Sequence, residues 1–339
     1  MKKHLFIFAF ILSATLLLIS CFPTLQPRNN PLDPDASTVS SNFGKVWKQQ
    51  SFTGGFTTRA RHAATVFKDN IYVIGGWNTA DDSTGGTLLA DVWRSPDGSN
   101  WMQITSSAQF GPRRSFNLFT FDNKMWVIGG YSNTYLNDVW YTADGTNWTL
   151  ATGAAFSHGG RQGCAGFVYD NKMWILGGDN GVVTNDIYNT TDGATWNLWW
   201  PTTPFESLRF GAAFALNGKL AFMYGQDGTV FDASGHYYVS SDNGVNWTYY
   251  TGPRGMLMAY TVADNKMWII GGNTNLNSTT AAPVSTIKTS VDGVSWNEVT
   301  TTQVFTGRQS AAAVFFKNRI YLLGGFSGAA SLAEVWYTE

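Results

Sequence analysis

A chain of 339 residues, 44% apolar and 15% aromatic, has ample material for a packed core, while 13% charged residues is sparse for a cytosolic protein. A formal charge of −1 argues against a nucleic-acid binder or a protein held to an anionic surface by charge alone. Two cysteines are too few for a disulfide-stapled scaffold.

The chain opens with a processing signal over residues 1–20. Lys2 and Lys3 precede an apolar run, Leu5 to Ile19, which is of signal-peptide length and short for a membrane span. It ends Leu18-Ile19-Ser20-Cys21, which resembles the lipobox of bacterial lipoproteins. That resemblance implies cleavage before Cys21 and acyl chains, palmitate among them, on Cys21. The protein is then expected in the cell envelope, anchored by lipid. Phe22 follows the cysteine, not the Asp that retains such proteins at the inner membrane of enteric bacteria, so the outer membrane is expected if the host has two. Residues 21–42 carry four prolines among Asn, Asp and Ser and read as a solvated tether. Loss of Lys2 and Lys3 leaves 20 basic against 23 acidic residues, and Cys164 is then alone beyond the tether. It sits in an apolar run, which predicts a buried, inert thiol.

From Phe43 to Glu339 one pattern recurs. Glycine pairs stand at 75–76, 129–130, 177–178, 271–272 and 324–325, with Tyr224-Gly225 in the fourth place. A period near 50 residues with four short strands per unit predicts propeller blades. The first strand of each unit is small and apolar (Ala63–Phe67, Ala165–Tyr169, Ala311–Phe316), because six such strands crowd one axis. The second is apolar on both faces (Ile71–Ile74, Met125–Ile128, Ile320–Leu323) and is expected to end at its glycine pair. The third reads Asp91-Val92-Trp93, Asp138-Val139-Trp140, Asp186-Ile187-Tyr188 and Glu334-Val335-Trp336. An Asp-Gly turn follows, then an outer strand led by Trp101, Trp148, Trp196, Trp247 or Trp296. The sixth unit ends without its outer strand. Val46-Trp47-Lys48 precedes the first unit, so Trp47 is expected to complete the last blade, beside Val335. The predicted fold is all-β: a six-bladed propeller of four-stranded antiparallel blades, closed by the N-terminal strand.

These units resemble kelch repeats, of the galactose oxidase central-domain type, in their Arg before the first strand, double Gly, acid-Val-aromatic and outer Trp. The resemblance covers residues 43–339. The hairpin Ser240–Trp247 also matches the SxDxGxxW Asp-box of sialidase-type propellers, a turn structure remote from active sites.

Two loop sets share one face of such a propeller, and the candidate site lies there. Each unit has an Arg just before its first strand: Arg59, Arg113, Arg161, Arg209, Arg254 and Arg308, with Arg61 and Arg114 beside them. Four stand 16 residues before their glycine pair, while Arg209 stands 15 before Tyr224 and Arg254 17 before Gly271. A ring of guanidinium groups suits carboxylates, and the kelch and sialidase resemblances imply acidic peptides or acidic sugars as ligands. The same arginines could instead tie blades together by bonding loop carbonyls. Trp77, Tyr131 and Phe326 follow glycine pairs and could offer aromatic platforms, with Asp179 in the same position. Acid–base chemistry is thinly provided: Glu206, His62 and His158 are the candidates if the protein is an enzyme. The histidines lack metal spacing, and no cofactor or metal is expected. The expected activity is non-catalytic binding of a protein partner or a carbohydrate or acidic ligand at the funnel face by a monomer, without nucleic acid. The alternative is an envelope enzyme acting on an acidic sugar, resembling sialic acid mutarotases or sialidases.

Overall fold

The computed structural model describes residues 42–51, 54–79, 85–200, 207–223, 225, 236–252, 255–274, 282–302 and 305–339. Strand β1 (Trp47–Gln50) comes first. Blade 1 is β2 (Ala63–Phe67), β3 (Asn70–Asn78), β4 (Thr87–Ser95) and β5 (Met102–Thr105). Blade 2 is β6 (Asn117–Phe121), β7 (Lys124–Ile128), β8 (Val139–Thr142) and β9 (Thr149–Thr152). Blade 3 is β10 (Ala165–Tyr169), β11 (Lys172–Asp179), β12 (Val183–Thr190) and β13 (Asn197–Trp200). Blade 4 is β14 (Ala212–Leu216), β15 (Lys219–Met223), β16 (His236–Ser240) and β17 (Thr248–Thr251). Blade 5 is β18 (Ala259–Ala263), β19 (Lys266–Ile270), β20 (Ile287–Ser290) and β21 (Asn297–Glu298). Blade 6 takes β22 (Ala312–Phe316), β23 (Arg319–Leu323) and β24 (Val335–Thr338), and its fourth strand is β1. The result is the expected set of six antiparallel four-stranded sheets.

Local chemistry explains the repeats. The first two strands of blade 3 meet at Asp170-Asn171, both with positive φ (48° and 53°), as a tight primed turn demands. The Asp-Gly hairpins are built around one carboxylate. In blade 2, Asp144 accepts the backbone N–H groups of Thr146 and Asn147, each at 2.8 Å, and Thr142 Oγ1 donates to it at 2.9 Å. The Asn147 contacts first, then those of Thr146, hold the Asp144 carboxyl well below the usual range. Five such hairpins, including that of Ser240–Trp247, are turn structure, as the Asp-box resemblance implies.

The ring closes through β1. Trp47 is fully buried, and its indole meets Phe305 edge-on at 5.4 Å. Trp101 with Phe56 (5.0 Å), Trp148 with Phe110 (4.9 Å) and Trp196 with Phe156 (5.5 Å) repeat the arrangement in blades 1 to 3. Trp47 Nε1 donates to Gly44 O, just as Trp101 donates to Gly98 O. Gly44, just before β1, thus takes the place that the hairpin glycine has in the other blades. The register corrects one detail: Gln50 lies opposite Val335, and Trp47 lies opposite Thr338. The outer tryptophan marks the hairpin end of its strand, and Val335 sits at the other end.

A second correction concerns the glycine pairs. In blades 1 and 3 the second strand runs past the pair, to Asn78 and Asp179, with a register shift at Ile74/Gly76 and at Leu176/Gly178. The pair is a bulge there, because the third strand begins early enough to keep pairing. Gly76 shows why glycine is required: its φ is +100°, and a Cβ would stand 2.6 Å from His62 Cβ.

Candidate functional site

The arginines divide into two groups with different surroundings. Arg59, Arg113, Arg161 and Arg308 are 0–1% exposed. Each is turned into the wall of its own blade. Arg59 pairs both edges with Asp91 at 2.8 Å, and Arg113 meets Asp138 at 2.8 and 2.9 Å. Arg161 meets Asp186 at 2.5 and 3.0 Å, and Arg308 meets Glu334 at 2.6 Å. Each also donates to the carbonyl of the first glycine of its pair, at 3.0 Å. On its far side each guanidinium covers a phenylalanine: Phe56, Phe110, Phe156 or Phe305, at 4.7–5.5 Å. The acid at the head of the third strand is therefore the partner of the repeat arginine, and in blades 1, 2 and 6 the tryptophan two residues on donates to the same carboxylate. Trp93 and Trp140 donate to Asp91 and Asp138 at 2.7 Å. Placed so, these four arginines are out of a ligand's reach.

The pairing also corrects the count. The residue that bonds the preceding blade in the same way in blade 4 is Leu208, whose N–H donates to Thr184 O and which is fully buried. Register puts His236 where the acid would stand. In blade 5 these two positions hold Gly255 and Thr286. Arg and acid occur together or not at all, as expected of a buried ion pair, where one partner alone is costly. Arg209 is displaced by one residue from the wall position, which its spacing of 15 already signalled. Arg254 and Glu206 lie outside the described residues.

What faces the axis is a different ring. Arg61, Ser115, Gly163, Phe210, Leu257 and Ser310 each follow the wall position by two residues, and all have positive φ of 54–63°. Their backbones form a closed circle of hydrogen bonds: Arg61 N to Ser310 O, Ser115 N to Arg61 O, and so on round through Gly163, Phe210, Leu257 and Ser310, at 2.7–3.0 Å. The side chains of this circle crown an axial cavity of about 410 Å³ lined by the first strands of all six blades. The Arg61 guanidinium stacks on Phe210, from the opposite blade, at 5.3 Å. Just outside the circle, the residue after each wall position pairs with the residue after the glycines: Arg114 with Tyr131, Gln162 with Asp179, Met256 with Asn273 and Gln309 with Phe326.

Most of the remaining predicted residues meet at this mouth. Arg114 lies 4.1 Å above the Trp77 ring and 5.3 Å from Tyr131, a cation between two aromatic faces. Arg209 forms a salt bridge with Asp179, which is 4% exposed. Tyr135 packs edge-on to Tyr131 at 5.5 Å. Burial first, then the Asp179 carboxylate beside it, raises the Tyr135 phenol. Trp77 and Phe326 are 5% and 2% exposed, so they brace the mouth and are not open platforms.

The catalytic candidates do not converge. His62 is buried, 8% exposed. Burial, then the charge of Arg59, pushes it down to about 3, so it is neutral at ordinary pH. His158 lies further out, with Nδ1 3.0 Å from the Asp186 carboxylate that Arg161 already holds. Burial pushes the Cys164 thiol up to about 12, which keeps it protonated. Among the described residues no three His, Cys, Asp or Glu side chains gather as metal ligands. Sequence reading passed over Ser115, Phe210 and Ser310. Their signal was a position, two residues after the wall residue, and not a residue type.

Fold and mouth together define a kelch-type six-bladed propeller. The chain belongs to the kelch-repeat family: the model of the KLHDC2/KLHL20/DRC7 Kelch-repeats domain matches residues 44–228. The solved structure of YjhT aligns with it at a TM-score of 0.66 and 13% identity, over 84% of this chain and 95% of that one, a likeness of fold. No curated protein matches it.

Proposed function

We propose that the protein is a cell-envelope lipoprotein whose funnel mouth binds an acidic ligand, on a protein partner or a glycan, without catalysis. The observation that supports this best is Arg114, held between Trp77 and Tyr131 at 4.1 and 5.3 Å, with Arg61 beside it across the hydrogen-bonded circle. A stacked guanidinium keeps a fixed plane, whose fork geometry suits a carboxylate, and little freedom is lost on binding. The use of kelch propellers as binding modules fits this reading. An array of acidic peptides and acidic glycans should identify a ligand. Arg114→Met should then weaken it about tenfold or more, as for hydrogen bonds to a charged group, with a melting temperature within a few degrees of the parent. Unchanged affinity would remove Arg114 from the site.

The competing reading, an enzyme on an acidic sugar, has one observation in its favour: Asp179, Arg209 and Tyr135 stand together at the mouth. Against it, Asp179 is buried and its charge is already engaged by Arg209, which suits a fixed strut better than a mobile base. The anchor and the envelope location rest on the leader and Cys21 alone, which lie outside the described residues. Cys21→Ser should abolish incorporation of a clickable fatty acid, and persistent labelling would exclude the anchor.

A further inference from the structure

Blade 5 departs from the repeat at the place where other blades are braced. In blades 1, 2, 3 and 6 a loop phenylalanine packs with the outer tryptophan of its own blade and the third-strand valine or isoleucine of the blade before, as Phe110 does with Trp148 and Val92. The repeat arginine covers that ring, and Arg161 covers the third-strand Tyr188 as well. Unit 5 has none of these groups. Three residues before its wall position, where Phe56, Phe110 and Phe305 stand in theirs, it has Gly252. Register places Lys288 where Trp93, Trp140, Tyr188 and Trp336 stand. The preceding blade answers in part, with Tyr237 in place of the valine. Its ring leaves no room for a Cβ on Gly252, stacks on Tyr250 at 5.5 Å, and donates its hydroxyl to Val294 O. One tyrosine does not fill the space of a phenylalanine, an arginine, its acid and an aromatic. A pocket of about 590 Å³ stays open between blades 4 and 5, lined by Tyr237, Thr251, Gly252, Thr274, Lys288 and Trp296 among others. It is of small-molecule size and shares no lining residue with the axial cavity. Trp296 is half-buried and keeps the outer-tryptophan place without a phenylalanine at position 252 to meet it. Lys288 is half-buried too, and among the described residues its ammonium has neither ion pair nor hydrogen bond.

We infer that the pocket between blades 4 and 5 binds a small aromatic carboxylic acid, its ring against Trp296 and its carboxylate on Lys288. The ring is argued from the fold's own repetition: in four blades a phenyl ring meets the outer indole edge-on at 4.9–5.5 Å. The carboxylate is argued from charge. The pocket has lost the arginine and acid that neutralise each other elsewhere and has gained one ammonium, which one carboxylate balances. A phosphate group would bring close to two negative charges against that single cation. The hydroxyls of Thr251 and Thr274 at the rim can donate to the same oxygens. This site lies apart from the mouth and holds whether or not the mouth takes an acid.

Titration calorimetry on the full chain tests this with 3-phenylpropionate. It should bind at one per chain, with 3-phenyl-1-propanol about tenfold weaker or more and propionate not measurable at millimolar concentration. Lys288→Met should weaken the acid to the level of the alcohol and leave the alcohol unchanged. Gly252→Phe with Tyr237→Val gives the pocket the pair that Phe110 and Val92 make between blades 1 and 2. This variant should abolish binding of both probes, with a melting temperature within a few degrees of the parent. If it does not fold, Lys288→Met decides alone. Absence of 3-phenylpropionate binding, equal affinity for acid and alcohol, or binding indifferent to these substitutions overturns the inference. Glucuronate binding as tightly as 3-phenylpropionate would overturn the aromatic class of the ligand.

Discussion

Arg113 and Arg114 are adjacent in the chain and sit in different chemistry. Arg113 is 1% exposed and saturated by Asp138 and Gly129 O, while Arg114 lies between aromatic rings at the mouth. Arg114 pairs with Tyr131 in an isolated antiparallel bridge ahead of β6, and in such extended backbone consecutive side chains leave on opposite sides. Blades 4 and 5 show what replaces the buried pair, since Leu208 and Gly255 stand at the wall position with no acid opposite. This gives a double-substitution test. Arg113→Leu alone should cost about 3–5 kcal/mol by stranding the largely buried Asp138. Arg113→Leu with Asp138→Thr should recover most of that loss in equilibrium urea unfolding. A double variant no more stable than the single one would show that the pair is not the reason for the conservation of both residues across four blades.

At the scale of the element, β1 is the strand on which closure depends. It supplies the outer edge of blade 6, pairs with β24 over its whole length, and buries Trp47 against Phe305. Removing residues 43–50 would open the β24 edge and expose Phe305 and Trp336, both now buried. Burial of one tryptophan contributes at most about 4–6 kcal/mol at 25 cal/mol/Å². The deletion should therefore lower stability by several kcal/mol and promote self-association, read by thermal unfolding and light scattering. An unchanged melting temperature would mean that β1 contributes nothing to the fold. The Asp-Gly hairpins are elements of the same kind. Each is self-contained, with a carboxylate tying down its own turn, which is why a few residues of sequence suffice to place it.

At the scale of the whole molecule, the circle of backbone hydrogen bonds from Arg61 round to Ser310 joins every blade to the next and closes on itself. Blade number, strand order and the strand exchange at the seam were legible in the sequence. They follow from patterns local to each unit: period-2 runs, tight-turn residues, a repeated tryptophan, and one outer strand missing at the end and present at the start. The side to which each arginine turns was not legible as a residue type, because Arg serves equally as a wall strut and as a ligand donor. Its spacing from the glycine pair carried part of the answer, separating Arg209 from the wall set. The rest was decided by tertiary structure. Only when six blades stand round one axis do Arg61 and Phe210, 149 residues apart in the chain, come within stacking distance. Only then do Ser115 and Ser310 flank them. Local periodicity specifies the blade, and the geometry of closure specifies the mouth, because its residues meet through no local contact at all.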